Sequence, residues 1–111
     1  MAKFVKGDVI VVPFPFSDLS QSKKRPALVI ASPSGNDLIL CQITSRQISD
    51  KYAISLDELD YDSGSLKLKS NIRPNRIFTA DESIILYKAA RLKSEKLNAV
   101  IDSIIQIIKT Q

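Results

Sequence analysis

The chain has no histidine among its 111 residues, and that absence removes more chemistry than any other feature. Serine–histidine triads, ribonuclease schemes built on a histidine pair and most zinc sites all need an imidazole. A single cysteine, Cys41, rules out an internal disulfide and thiolate metal clusters, and it fits a reducing compartment. It lies in the apolar run LILCQI, where a thiol reads as a small core residue, and no imidazole exists to activate it as a nucleophile. The three glycines, Gly7, Gly35 and Gly64, stand far apart, so there is no glycine-rich phosphate loop. No apolar run approaches the ~20 residues of a membrane helix. The start, MAKFVKGD, lacks the apolar core and cleavage site of a signal peptide. The expectation is one domain over residues 1–111, located in the cytoplasm.

What is present is an ordinary globular composition with a basic bias. Hydrophobic residues make up 44% and charged residues 25%, enough for a single real core. The formal charge is +4, which suits a polyanionic partner without proving one. Cations gather at Lys23, Lys24 and Arg25 and again at Lys67, Lys69, Arg73 and Arg76; acids gather at Asp57, Glu58, Asp60 and Asp62. The spacing of those acids matches no calcium loop, so they read as a solvated turn.

Several short strands precede one helix. GDVIVVPFPF reads as a strand whose end, at Pro13 and Pro15, lies at an edge. After the polar loop SDLSQSKK, the runs PALVIA and LILCQITS flank the turn SPSGND and predict a hairpin over residues 26–43. KYAIS, SLKLKS, RIFTA and SIILYKAARL are further predicted strands, although KAARL also has good helix propensity. From Leu97 to Ile108 the apolar positions recur every three or four residues, which predicts an amphipathic helix over about 94–109 with Ser94 as N-cap. That helix either closes the core or shares in a partner surface, because Ile107 widens its apolar face. The predicted fold is mainly β: a small, bent antiparallel sheet or partly open barrel over about 5–92, capped by the helix.

With imidazole, clustered thiols and a phosphate loop gone, arginine, lysine and hydroxyl groups remain. These suit gripping a phosphodiester and stabilising the charge that builds on its oxygens. RNA cleavage has the further convenience that the substrate's own 2′-hydroxyl can serve as nucleophile. An arginine is a poor general base, so its contribution would be electrostatic.

The opening GDVIVVPFPFSDLSQSKKRPALVI resembles that of PemK/MazF-type toxins of bacterial toxin–antitoxin systems. There a G-D-hydrophobic strand leads through a polar loop to R-P-x-L-V-[IV]. CQITS is similar to the family's strand ending in I-T-S, and SNIRPNRI more loosely to a segment bearing a basic residue. The resemblance implies an SH3-like barrel with an added helix, usually a homodimer. It implies a metal- and cofactor-independent endoribonuclease that cuts single-stranded RNA, leaves a 2′,3′-cyclic phosphate and a 5′-hydroxyl, and is neutralised by a cognate antitoxin. Its catalytic residues would correspond to Arg25 and Thr44. Expected RNA contacts are Phe16, Ser17, Lys23, Lys24, Ser45, Lys69 and Arg73, with Phe16 placed either to stack on a base or to pack at the barrel edge. The loop before Arg25 departs from the family's paired glycines, carrying SQSKK, so loop shape and RNA preference are expected to differ. The alternative is a non-catalytic member of the same fold, a gyrase poison or regulatory binder acting through its C-terminal helix.

Overall fold

The computed structural model describes residues 3–14, 23–47 and 49–111. The apolar runs VIVV, ALVI and LILC become β1 (Asp8–Phe14), β2 (Lys23–Ala31) and β3 (Asp37–Thr44). These runs are continuous because both faces of the central sheet are buried. Val9, Leu28, Cys41 and Ile43 point into one core, while Ile10, Val12, Ala27, Val29, Leu38 and Leu40 point into a second. β4 (Ile54–Leu56), β5 (Tyr61–Gly64), β6 (Ser70–Asp81) and β7 (Tyr87–Leu92) complete a seven-stranded sheet in the order β4-β6-β3-β2-β1-β7-β5. Every recorded pairing is antiparallel. The edges β4 and β5 are not paired with each other, so the sheet is a half-barrel, as the sequence predicts.

Bulges bend it. The largest falls between the pairs Cys41↔Ile77 and Ile43↔Ile72, where Gln42 alone faces residues 73–76. Pro74 lies in this bulge, where its missing N–H leaves no gap in a ladder.

α1 (Ser94–Thr110) buries Leu97, Val100 and Ile104 in the first core and leaves Ile105 and Ile108 exposed. Its N-cap is Lys93, not Ser94, and no side chain caps it; Ser94 is the first helical residue. Among the described residues, no helix is long and apolar enough to cross a membrane.

Two strand expectations are corrected. SLKLKS alternates like a strand but forms a loop between β5 and β6, because Lys67 takes a left-handed conformation (φ 64°). Side chains satisfy that loop: the Lys67 N–H donates to Ser65 Oγ and the Ser70 hydroxyl donates to the Leu68 carbonyl. The strand that pairs with β7 is instead Tyr61–Gly64, in the acidic segment. SIILYKAARL is also shorter than expected: Ser83 and Ile84 lie in a 3-10 turn, and the strand begins at Tyr87. KAARL, locally ambiguous, is strand because Ala90 and Leu92 are needed in the core.

Candidate functional site

One row of side chains crosses the ends of four strands. β1 sets Val12 opposite Arg25, and β3 sets Thr44 opposite Asn71. The β2–β3 pairing ends at Ala27↔Gln42; the same register continued by two residues would set Arg25 opposite Thr44. Alternation from Ala27 and from Ile43 sends both side chains to the same face. Opposed residues on paired strands lie roughly 4.5–5.5 Å apart at Cα, a spacing that would bring the guanidinium and the hydroxyl side by side if the register continues.

Each has hydrogen-bonding capacity to spare. Arg25 is half-buried, and its Nε is buried with no hydrogen-bond partner among the described residues. Thr44 is 5% exposed, and its Oγ1 accepts a 3.1 Å bond from the Arg46 N–H. A hydroxyl that accepts in this way keeps its own proton free to donate. The Arg46 carbonyl in turn accepts from Asn71 Nδ2 at 3.2 Å, which ties the chain leaving β3 back onto β6.

A second tie lies beside the first. Arg73 Nη2 reaches Asp50 Oδ2 at 2.7 Å, while Asp50 Oδ1 accepts from the Tyr52 and Ala53 N–H groups, each at 3.0 Å. The Arg73 hydrogen bond, followed by those backbone bonds, holds the Asp50 carboxyl below its usual range. The Arg73 carbonyl accepts from Cys41 Sγ at 3.0 Å. Burial pushes that thiol up to about 12, so it stays protonated and serves as packing.

The other predicted contacts separate. Lys23 and Lys24 are exposed at the start of β2, and Ser45 is exposed just past β3. Lys24 and Ser45 line a cavity of about 310 Å³ together with Ser70 and Tyr87. Lys69 is exposed and lines a neighbouring cavity of about 260 Å³ that also contains Asp57 and Glu58. Arg73 is largely buried and committed to Asp50. Phe16 and Ser17 lie outside the described residues. Sequence reasoning passed over Asn71 and Asp50. Neither carries a local signal, because their partners lie 25 and 23 residues away along the chain.

A guanidinium beside a buried hydroxyl at strand ends is suited to a phosphate group: one neutralises charge, the other donates to an oxygen.

The family model described as the PemK-like, MazF-like toxin of type II toxin–antitoxin systems matches residues 5–108. No curated protein sequence matches the chain significantly. Among solved structures, the fold is shared with MazF in a MazE–MazF complex from Deinococcus radiodurans (18% identity, TM-score 0.77, 97% of each chain covered). It is shared as well with an endoribonuclease from a mycobacterial species in complex with its cognate antitoxin (12%, TM-score 0.74, 97% of each). A third is the Mycobacterium tuberculosis toxin MazF-mt6 (13%, TM-score 0.69, 94% of this chain and 98% of that one). With the family model spanning nearly its full length, the chain belongs to the PemK-like, MazF-like toxins of type II toxin–antitoxin systems.

Proposed function

We propose that this toxin is an endoribonuclease that cuts single-stranded RNA at the Arg25–Thr44 row. The observation that supports this reading is the β2–β3 register, which, continued from Ala27↔Gln42, would align Arg25 with Thr44 on one face. In the reaction, the 2′-oxygen bonds to phosphorus as the bond to the 5′-oxygen breaks. The 2′-hydroxyl proton leaves to solvent, and the departing 5′-oxygen takes one up. The products are a 2′,3′-cyclic phosphate and a 5′-hydroxyl. Arg25 stabilises the charge growing on the phosphoryl oxygens, and Thr44 donates its proton to one of them without transferring it. No residue here is asked to act as a strong base, and the chain's own groups do the work without metal.

Lys23, Lys24 and Lys69 hold the RNA backbone and Ser45 is a further RNA contact, so binding weakens as salt rises. Phe16 and Ser17, outside the described residues, are further RNA contacts in this reading, whereas Arg73, committed to Asp50, positions the neighbouring loop. A cognate antitoxin is the neutralising partner, and a second copy of the chain would cover the exposed Ile105 and Ile108 of α1. The cytoplasm is the expected site of action.

The test is a long mixed-sequence RNA incubated with the protein in EDTA. Discrete fragments are expected from wild type, and Arg25→Ala should slow cutting by roughly 100- to 1000-fold while leaving the melting curve unchanged. Equal cutting by Arg25→Ala overturns the mechanism. Growth inhibition relieved by changes at Ile107 to Gln111, and not by Arg25→Ala, would instead favour a gyrase poison acting through α1.

A further inference from the structure

Lys24, Ser45 and Ser70 are each adjacent in sequence to a member of the Arg25–Thr44–Asn71 row. Alternation therefore sends them to the opposite face of the same strand ends. They form the polar side of the 310 Å³ cavity noted above. Its floor is a second cross-strand row, Pro26–Val11–Tyr87, set by the pairings Val11↔Pro26 and Val11↔Tyr87. Its roof is Leu66 and Leu68, carried by the loop that the Ser65 and Ser70 hydroxyls hold in shape.

Three properties of this cavity restrict what it can take. Tyr87 is 52% exposed and Leu68 66% exposed, so large apolar faces border it without being covered by the fold. The exposed Ser45 hydroxyl can donate and accept, while Ser70, whose proton is given to the Leu68 carbonyl, offers only an acceptor oxygen; such a pair suits the edge of a polar heterocycle. Lys24, at the start of β2, supplies a cation beside them. A flat ring with hydrogen-bonding edges and an attached anion meets all three requirements: it is a nucleotide.

The geometry points to this cavity as a base-reading site for the nucleotide next to the cleaved linkage. The inference rests on the ribonuclease reading of Arg25 and Thr44. RNA would round the strand ends where Lys24 and Arg25 leave opposite faces, with the scissile phosphate on one face and a flanking base on the other. Tyr87 and Leu68 would sandwich that base, Ser45 and Ser70 would meet its edge, and Lys24 would hold its phosphate. Such a cavity selects among bases, because stacking accepts any ring while the two hydroxyls do not suit all edges equally.

The experiment maps cleavage sites on a randomised single-stranded RNA for wild type, Tyr87→Leu and Ser45→Ala. In parallel, binding of the same pool is measured on Arg25→Ala protein with and without Tyr87→Leu. Preference at one position flanking the cut should weaken roughly tenfold in both variants, with preferences at other positions retained. The double variant should lose the same preference in binding. Unchanged preference at every position, in proteins that melt like wild type, overturns the base-reading site while leaving the nuclease standing. If wild type binds the pool with that preference and never cuts, the nuclease reading falls and the cavity survives. If wild type neither cuts nor binds, both are overturned.

Discussion

Asp50 divides its carboxylate between two tasks: Oδ2 takes Arg73 Nη2 at 2.7 Å, and Oδ1 caps the N–H groups of Tyr52 and Ala53. The loop that follows Thr44 is thereby fastened to β6 one residue pair beyond the Asn71–Arg46 tie. The ion pair and the cap can be separated, because an asparagine keeps an oxygen for the cap and loses the charge.

Asp50→Asn should therefore lower stability at neutral pH without unfolding the loop. The sign with pH follows from the depressed carboxyl of Asp50. Its contribution is complete above the ordinary value of 3.8 and is lost as pH falls through the lower folded value. Thermal melts of wild type and Asp50→Asn should differ at pH 7 and draw together as pH falls below 3.8 through the lowered folded value. A constant gap down to acid pH would show that the charge on Asp50 is immaterial.

Asp8 is the one buried charged residue among the described residues, 2% exposed at the start of β1. It takes Arg91 Nη1 at 2.9 Å, Lys88 Nζ at 3.3 Å and the Val5 N–H at 2.9 Å, joining the N-terminal segment to β7. Asp8→Ala leaves those donors without their acceptor, and because the two cations are partly solvated the loss should be about 2–3 kcal/mol. Urea titration checks it, and a change below about 0.5 kcal/mol would mean that solvent replaces the carboxylate fully.

Gly64 ends β5 at φ 68°, with its Cα against β7. A methyl group there would collide with the Ala89 carbonyl and come within 2.9 Å of Ala90 Cα, both backbone atoms. Gly64→Ala should destabilise by at least ~2 kcal/mol, while the same change at Gly35, where a Cβ meets nothing, carries only the cost of its positive φ. Equal melting temperatures for the two variants would contradict this ranking.

Cys41 is fully buried, and its thiol is pushed up to about 12. Alkylation by iodoacetamide at pH 8 should be undetectable in the native protein and complete in denaturant. Rapid native labelling would mean that the sheet opens at the β3–β6 bulge far more readily than its packing implies.

The residues that made this fold legible are those whose signal is local. LILC and PALVIA are unbroken apolar runs because each strand is buried on both sides, and the SPSGND turn joins them whatever lies elsewhere. The helix announces itself by its period, and the motifs that put Arg25 and Thr44 forward as candidates, RPALVI and CQITS, are equally local. SLKLKS misled for the converse reason. Its alternation satisfies a strand locally, but Lys67 adopts a positive φ and β7 pairs with Tyr61–Gly64 instead. The site was legible in part. Lys24 and Ser45 read as one surface with Arg25 and Thr44 when only nearness in sequence is considered, whereas period-two alternation divides them between two faces.

Composition and short-range pattern alone determined a bent β-sheet closed by a helix and narrowed the candidate chemistry to arginine, lysine and hydroxyl groups, because those signals act over a few residues. The tertiary structure decided which groups become neighbours: Thr44 with Asn71, Arg73 with Asp50, Asp8 with Arg91. These contacts arise from strand register and from loops that return across 23 to 83 residues of chain, distances over which no local pattern carries information.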